Sequence, residues 1–564
     1  MKKLIPVIAA IVLIIAVVAI SVGIKLVDKY SYSKEQADLN EHFSIEREDE
    51  VPIILQDELI EESAKLMDGV YYFDFATVHK YFNDRFYEDK NEQLLLYTLP
   101  EDMARTQIGT SEYSTKGGTS AEDYVIARYE GDTLYVAVDY VKKYTNFFYE
   151  AYTEPNHMQV YTKWEERKTA EIAKDTAIRS KGGVKSSILE EVLKDDKVIV
   201  LEEMENWSKV KSADSYIGYV ENKRLKNYGE ESMIPVTDYV EPEYKSISKP
   251  YKINLGWHTI AGTAGNDTID SVLASSKGLT TISPTWFALT DNEGNFSNFA
   301  TKDYVSKAHA KGVEVWGLID NFTGGEGVDT YEVLSYTSKR AYLIDNLVGT
   351  ALEYDLDGIN VDFEQVSQDA SEHFIQFIRE LSVVCRANEL VLSVDNYVPT
   401  DYTDHYNRKE QGIFADYVII MGYDEHYKGS AEAGSVASIG FVENGIKATV
   451  DQVPPEKVIN ALPFYTRIWE TKGTKLSSQA VGMDLAEKFI KDNNVETQWD
   501  EITCQNYGEI QKGDTLYQVW LEDEESIEAK LSIMQNYNIA GAAAWKLGFE
   551  KAKIWDVIGA YLNQ

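Results

Sequence analysis

The run Asp355-Leu356-Asp357-Gly358-Ile359-Asn360-Val361-Asp362-Phe363-Glu364 interleaves acidic and apolar side chains. In a strand, alternation sends Asn360, Asp362 and Glu364 to one face and Ile359, Val361 and Phe363 to the other. The apolar set can pack under helices while the polar set faces an interior. Burying two carboxylates on one strand face is costly unless they are used or compensated. Used, such a pair serves acid–base chemistry. Compensated, it is a structural hydrogen-bond network. Asp-x-Glu by itself leaves both readings open.

The elements around this run indicate its setting. Buried apolar runs alternate with amphipathic helical stretches from residue 250 to 564. The runs are Ile253–Trp257, Thr281–Phe287, Val313–Ile319, Leu356–Glu364, Val391–Asn396, Tyr417–Tyr423, Val458–Pro463 and Ile539–Trp545. Eight such strands with intervening helices predict an α/β fold, a (β/α)8 TIM barrel. The acidic run is its fourth strand, and active sites of this fold lie at the C-terminal mouth. A polar, aromatic stretch at about 495–520 predicts a small inserted β unit before the eighth strand.

The longer pattern adds a resemblance. "DGINVDFE" resembles the fourth-strand signature of glycoside hydrolase family 18, Asp-x-x-Asp-x-Asp-x-Glu. Asp357, Asp362 and Glu364 match it, and Asn360 replaces the second Asp. Met421-Gly422-Tyr423-Asp424 looks like the family's sixth-strand motif, and Trp545 in "AGAAAWKLG" falls where the family floors a sugar subsite. "QVWLEDEESIEAKL" (518–531) is similar to the spore cortex-lytic and germination branch, in which Asn often stands at the position of 360.

The resemblance implies cleavage of β-linked sugars bearing a 2-acetamido group, with the substrate's own amide as nucleophile. Glu364 would be the acid and then the base. Asp362 would hold the acetamido N–H and stabilise the oxazolinium ion, and Tyr423 would donate to the acetamido carbonyl. Asp424 would contact the sugar or pair with Asp362, and Trp545 would stack on it. Asp357 would brace the strand. Asn360 cannot ionise, but its amide can still hydrogen-bond Asp362. Trp257, Trp286 and Trp316, on the first three strands, line the cleft or pack the core; Trp257 is the one retained as a substrate contact. No cofactor or metal is expected, since no HExxH, phosphate loop or dinucleotide fingerprint occurs. His258 and His426 follow strands one and six and read as local structure.

The N-terminal half has other signatures. Leu4–Ile24 carries no charge and would span about 31 Å as a helix. That length predicts a transmembrane anchor over residues 1–26, with Lys2 and Lys3 inside and the C-terminal bulk outside the cell. Ala16 and Ala19 could instead mark a cleavage site. Residues 27–50 read as a linker. Over 51–163, "YYFDFATVHKYFNDRF" (71–86) recurs as "LYVAVDYVKKYTNFFY" (134–149), predicting a duplicated α+β stalk domain. Residues 168–227 have the short runs and turns of a small β-barrel. Within them Glu205-Asn206-Trp207-Ser208-Lys209-Val210 and Gly218-Tyr219-Val220 resemble the bacterial SH3-type domain. Residues 228–250, with Pro235, Pro242 and Pro250, read as a linker.

Composition narrows the partners. The chain has 564 residues with 55 basic and 93 acidic side chains, a net charge of −38, which disfavours nucleic acid. Only Cys385 and Cys504 occur, which excludes a disulfide scaffold. Aromatics reach 12%, an enrichment that suits sugar stacking as well as core packing. The expected partners are a cell-wall glycan, peptidoglycan or a chitin-like polymer, and the membrane through the N-terminal helix. A catalytically weak glycan-binding protein is the alternative.

Overall fold

The computed structural model describes residues 5–234, 237 and 239–563; Lys2, Lys3, Leu4 and Pro235 lie outside the described residues. The chain divides into two compact units: Met1–Phe86, Thr106–Tyr113 and Thr119–Glu241, and Tyr87–Arg105, Ser114–Gly118 and Pro242–Gln564.

In the first unit, helix α1 (Ile5–Tyr30) buries none of its side chains and is long and apolar enough to cross a membrane. The stretch after it is not a plain linker. Ala37 N–H donates to Ile188 O at 2.8 Å, Ile188 N–H donates to Glu35 O at 2.8 Å, and Phe43 is buried in the core of the small sheet. Its polar composition hid a backbone that pairs with a sheet edge and one aromatic that fills a core.

The repeat forms two strand-plus-helix units. Val70–Asp74 runs into helical turns through Phe82, and Thr133–Ala137 runs into Val138–Lys143. The two strands pair antiparallel, Tyr72 opposite Ala137 and Tyr135 opposite Asp74. Equivalent residues thus exchange places about a local two-fold. Asn83, from the first copy, donates to Tyr144 O at 3.0 Å in the second. The SH3-like part is a seven-stranded sheet between Glu166 and Ser232. Leu225–Ser232 is therefore its last strand, where a linker was expected from 228.

The second unit holds the barrel. Its strands are β1 (Ile253–His258), β2 (Thr281–Pro284), β3 (Glu314–Asp320), β4 (Gly358–Asp362), β5 (Val391–Tyr397), β6 (Tyr417–Met421), β7 (Val458–Pro463) and β8 (Gly541–Trp545). Neighbours pair parallel in order around the ring, and β1 against β8 completes it. Strands buried on both faces need continuous apolar runs, which is why these were readable. Ile359, Val361 and Phe363 pack outward beneath the helices, while Leu255, Trp257, Trp316, Leu318 and Ile419 fill the interior.

The inserted unit is larger than 495–520. It is a five-stranded sheet from Tyr465 to Leu521, with helix Met483–Asn493. Its first hairpin, Tyr465–Lys472 with Lys475–Gly482, leaves the end of β7 directly.

The stretch read as one stalk domain also feeds the barrel unit. Asp89 accepts from the Thr337 N–H and hydroxyl, both at 2.6 Å, at the start of helix α2 (Thr337–Tyr354). Tyr87 accepts from Arg340 of α2 at 3.0 Å and lies 2.6 Å from His373 Nδ1 of helix α3 (Ser371–Ala387). Gln376 of α3 donates to Thr98 at 3.1 Å. Residues 87–105 lie between the two repeat copies, and nothing in their local pattern marks the surface they dock on. Likewise Ile247 and Lys249, in the expected linker, hydrogen-bond Asp416 and Tyr417 under the barrel.

Candidate active site

The C-terminal mouth of the barrel opens into a cavity of about 590 Å³. Asp320 ends β3, Asp362 ends β4, Asp395 and Tyr397 end β5, and Tyr423 and Asp424 follow β6. Glu364, Tyr465 and Trp545 complete the chemistry-bearing lining. Among the described residues no Lys, Arg or His lines it.

Glu364 sits two residues past Asp362, where β4 has ended. Asn321 clamps its backbone, accepting from the Glu364 N–H and donating to its carbonyl, both at 2.9 Å. Tyr397 donates its hydroxyl to Glu364 Oε2 at 2.6 Å. Burial raises the carboxyl above its ordinary range; the Tyr397 bond opposes this, and Asp424 and Asp320 add to it. The arrangement suits a carboxyl that keeps a proton until a partner oxygen arrives.

Asp362 is buried, and its Oδ1 has no hydrogen-bond partner among the described residues. Burial, then Asp395, Glu364 and Asp320, push it well above the usual carboxylate range. The Asn360 amide, which could reach Asp362, is turned elsewhere. It donates to Asp395 at 2.8 Å and Ser393 at 3.0 Å, and its oxygen accepts from Trp257 Nε1 at 2.9 Å and Ser283 at 3.1 Å. The reason is direction: Ser393 and Asp395 stand on the adjacent strand on the same interior face. Trp257 is 1% exposed and lines the cavity at its floor. Its ring lies 5.9 Å from that of the half-buried Trp545, which also faces the cavity.

Tyr423 is half-buried, edge-on to Tyr465 with ring centres 6.1 Å apart, and burial holds its hydroxyl well above the ordinary phenol range. Gly422 before it cannot bear a side chain, since a Cβ would stand 2.8 Å from Ala461 O. Asp424 does not pair with Asp362. It accepts from Tyr465 at 2.6 Å and lies 3.8 Å from Arg467, both from the inserted sheet.

The remaining candidates lie elsewhere. Trp286 donates to Asn266, and Trp316 stacks on Tyr417 inside the barrel. His258 is held by Tyr304 and Thr268, and His426 by Ser435 O. Asp357 accepts from His309 at 2.8 Å and Val315 N–H at 2.7 Å, bracing the entry to β4. Cys385 is buried and Cys504 half-buried, both free thiols.

Sequence reasoning missed Asp320, Asp395, Tyr397 and Tyr465. Ser393, Asp395 and Tyr397 alternate with Val394 and Asn396 in β5, a polar face legible by the same rule that singled out β4. Asp320 caps the following loop, accepting from Phe322 and Thr323 N–H at 3.0 and 2.7 Å.

A family profile described as "Glycosyl hydrolases family 18" matches residues 250–550, and one described as "Bacterial SH3 domain" matches 174–226. The Bacillus subtilis protein named uncharacterized glycosylase YvbX is 25% identical over 48% of this chain and 80% of its own length. The cortical fragment-lytic enzyme of Bacillus anthracis is 25% identical over 38% of this chain, so the match spans about half, 52%, of that relative. Among solved structures, the Bacillus cereus spore cortex-lytic enzyme SleL superposes with a TM-score of 0.51 at 21% identity, covering 59% of this chain and 79% of that one. That likeness carries the fold.

Proposed function

The chain belongs to glycosyl hydrolase family 18 and is a glycosidase related to spore cortex-lytic enzymes; from that premise we propose that it cleaves peptidoglycan at N-acetylhexosamine linkages outside the cell, anchored by α1. The observation that carries this is the pairing of Glu364, poised by Tyr397 at the cavity wall, with Asp362, whose Oδ1 is buried without a partner. A proton donor and an unsatisfied acceptor then meet the two reacting parts of one 2-acetamido sugar.

In this reading Glu364 protonates the leaving glycosidic oxygen while the substrate's acetamido oxygen attacks the anomeric carbon, giving an oxazolinium ion. Asp362 accepts the acetamido N–H, filling its orphaned Oδ1, and offsets the positive ring. Tyr423 donates to the acetamido oxygen and aligns it. Glu364, now a carboxylate, takes a proton from water as that water opens the ring. Two displacements at one carbon retain its configuration. Trp545 packs the apolar face of the sugar, and Asp424 reaches its polar edge. The bacterial SH3 domain supports a wall substrate over free chitin.

Mass spectrometry of purified peptidoglycan, and separately of chitin oligomers, after digestion with the full chain in detergent tests this. N-acetylglucosamine or N-acetylmuramic acid reducing ends support it and name the bond. Cleavage of chitin alone replaces the substrate, and cleavage of neither leaves the glycan-binding alternative.

A further inference from the structure

Asn360 leaves this site one carboxyl short of the sequence pattern it resembles, yet the barrel interior is not short of carboxyls. The parallel register sets Asn360 beside Ser393 and Val361 beside Val394. One step further, 362 comes beside 395, with both side chains on the interior face. Asp395 is 2% exposed and held by the Asn360 amide at 2.8 Å; Asp362 is 7% exposed and carries the orphaned Oδ1. The charged and titratable groups facing the pair are Glu364 on β4's continuation, Asp320 on β3, Tyr423 after β6 and Tyr406. None of these is a cation, so two full charges side by side have nothing to offset them.

We propose that Asp395 is a positioning residue for the reaction: it supplies from β5 the second carboxyl that β4 lacks, and shares a single proton with Asp362. This rests on the family 18 reading. With the proton on Asp395, Asp362 faces the oxazolinium ring as a full anion. With the proton on Asp362, the empty site avoids two buried charges. Asn360 fits this role: its oxygen is taken by Trp257 and Ser283, so its amide hydrogens turn toward Asp395 and fix it in place. Burial raises both carboxyls; Asp395 then adds to the rise at Asp362, and Glu364 to that at Asp395 against the Asn360 bond, in keeping with a shared proton.

The test uses the full chain in detergent with three proteins: wild type, Asp395→Asn, and the transposed Asn360→Asp/Asp395→Asn. Turnover is followed on a chitobioside with a fluorogenic leaving group. Asp395→Asn should lose about tenfold or more in kcat, with a smaller change in KM and a displaced pH profile. The transposed variant should recover most of the loss, because a carboxyl again lies beside Asp362. Thermal unfolding gives a readout that needs no turnover. A raised carboxyl binds protons more tightly when folded, so stability is full below the unfolded pKa and declines as pH rises through the folded one. Wild type should therefore lose more Tm from about pH 5 to about pH 8 than Asp395→Asn does. A folded Asp395→Asn with wild-type kcat, pH profile and Tm slope overturns the proposal, as does a folded transposed variant no faster than Asp395→Asn. If wild type cleaves nothing, the functional reading fails and the Tm slopes still decide this one.

Discussion

Two sets of buried carboxylates in the barrel unit are handled in opposite ways. On the outer helices, Glu380 meets Arg340 at 2.8 Å and Glu410 meets Arg379 at 2.8 Å, with Gln376 and Thr337 completing the network. At the mouth, Asp362 and Asp395 are just as buried and meet no cation among the described residues. Glu522 marks the energetic scale: even with Lys530 at 3.0 Å, burial pushes it up to about 7. A carboxyl with no cation must then hold its proton or wait for a positive partner. Compensated acids thus fasten helices, and uncompensated ones mark the place where charge is meant to develop.

The largest expected effect breaks the mouth. Glu364→Gln keeps shape and removes the proton, so turnover should fall roughly 10²–10⁴-fold while the fold persists. Steady-state kinetics beside a melting curve that shows a cooperative fold checks this, whatever small pH-dependent change in Tm the lost carboxyl brings, and near-native turnover would remove Glu364 from the role.

The mirror experiment breaks the fastened side. Arg340→Met strands Glu380, and stability should drop by roughly 3–5 kcal/mol, as for one partner of a buried pair. Denaturant unfolding measures the loss; whatever protein remains folded should cleave at the wild-type rate, since neither Arg340 nor any other residue of α2 lines the cavity.

A third variant sharpens the contrast. Asp362→Asn removes a carboxyl whose folded pKa is raised, and so removes a term that favours the folded state only at low pH. Stability should become flatter above about pH 4, the opposite sign from Arg340→Met. The same variant should weaken an N-acetylglucosamine thiazoline, which mimics the cationic ring, more than it weakens intact glycan. Equal losses for both would place Asp362 outside charge stabilisation.

The smallest effect concerns tuning. The Tyr397 hydroxyl opposes the burial that raises Glu364. Tyr397→Phe should let the acid's pKa climb, moving the alkaline limb of the kcat profile upward. A limb that stays or moves down would show that Tyr397 does not set the acid.

The barrel strands and the β4 face were legible because their signals are local. A parallel strand buried on both sides must be an apolar run, and alternation within one strand assigns Asn360, Asp362 and Glu364 to one face without reference to anything else. Tyr423 and Trp545 came from motif resemblance. The partners of these residues were not legible, because each lies on another element: Asp395 and Tyr397 on β5, Tyr465 on the inserted hairpin, Asn321 after β3. The contacts made within 27–50 and by 87–105 of the expected stalk were illegible for the same reason. Phe43, Tyr87 and Asp89 look ordinary in sequence, and only the surfaces they meet give them their roles.

The sequence by itself determined the eight apolar runs, the polar face of β4, the repeat and the apolar segment of α1, since each follows from the chemistry of neighbours along the chain. Only the tertiary structure decided that Asn360 turns to Asp395 rather than Asp362, that Trp257 is floor rather than wall, and that 87–105 belongs with the barrel. Those outcomes depend on parallel register and helix docking, which bring together residues 35 to 286 positions apart and leave no mark on the local pattern.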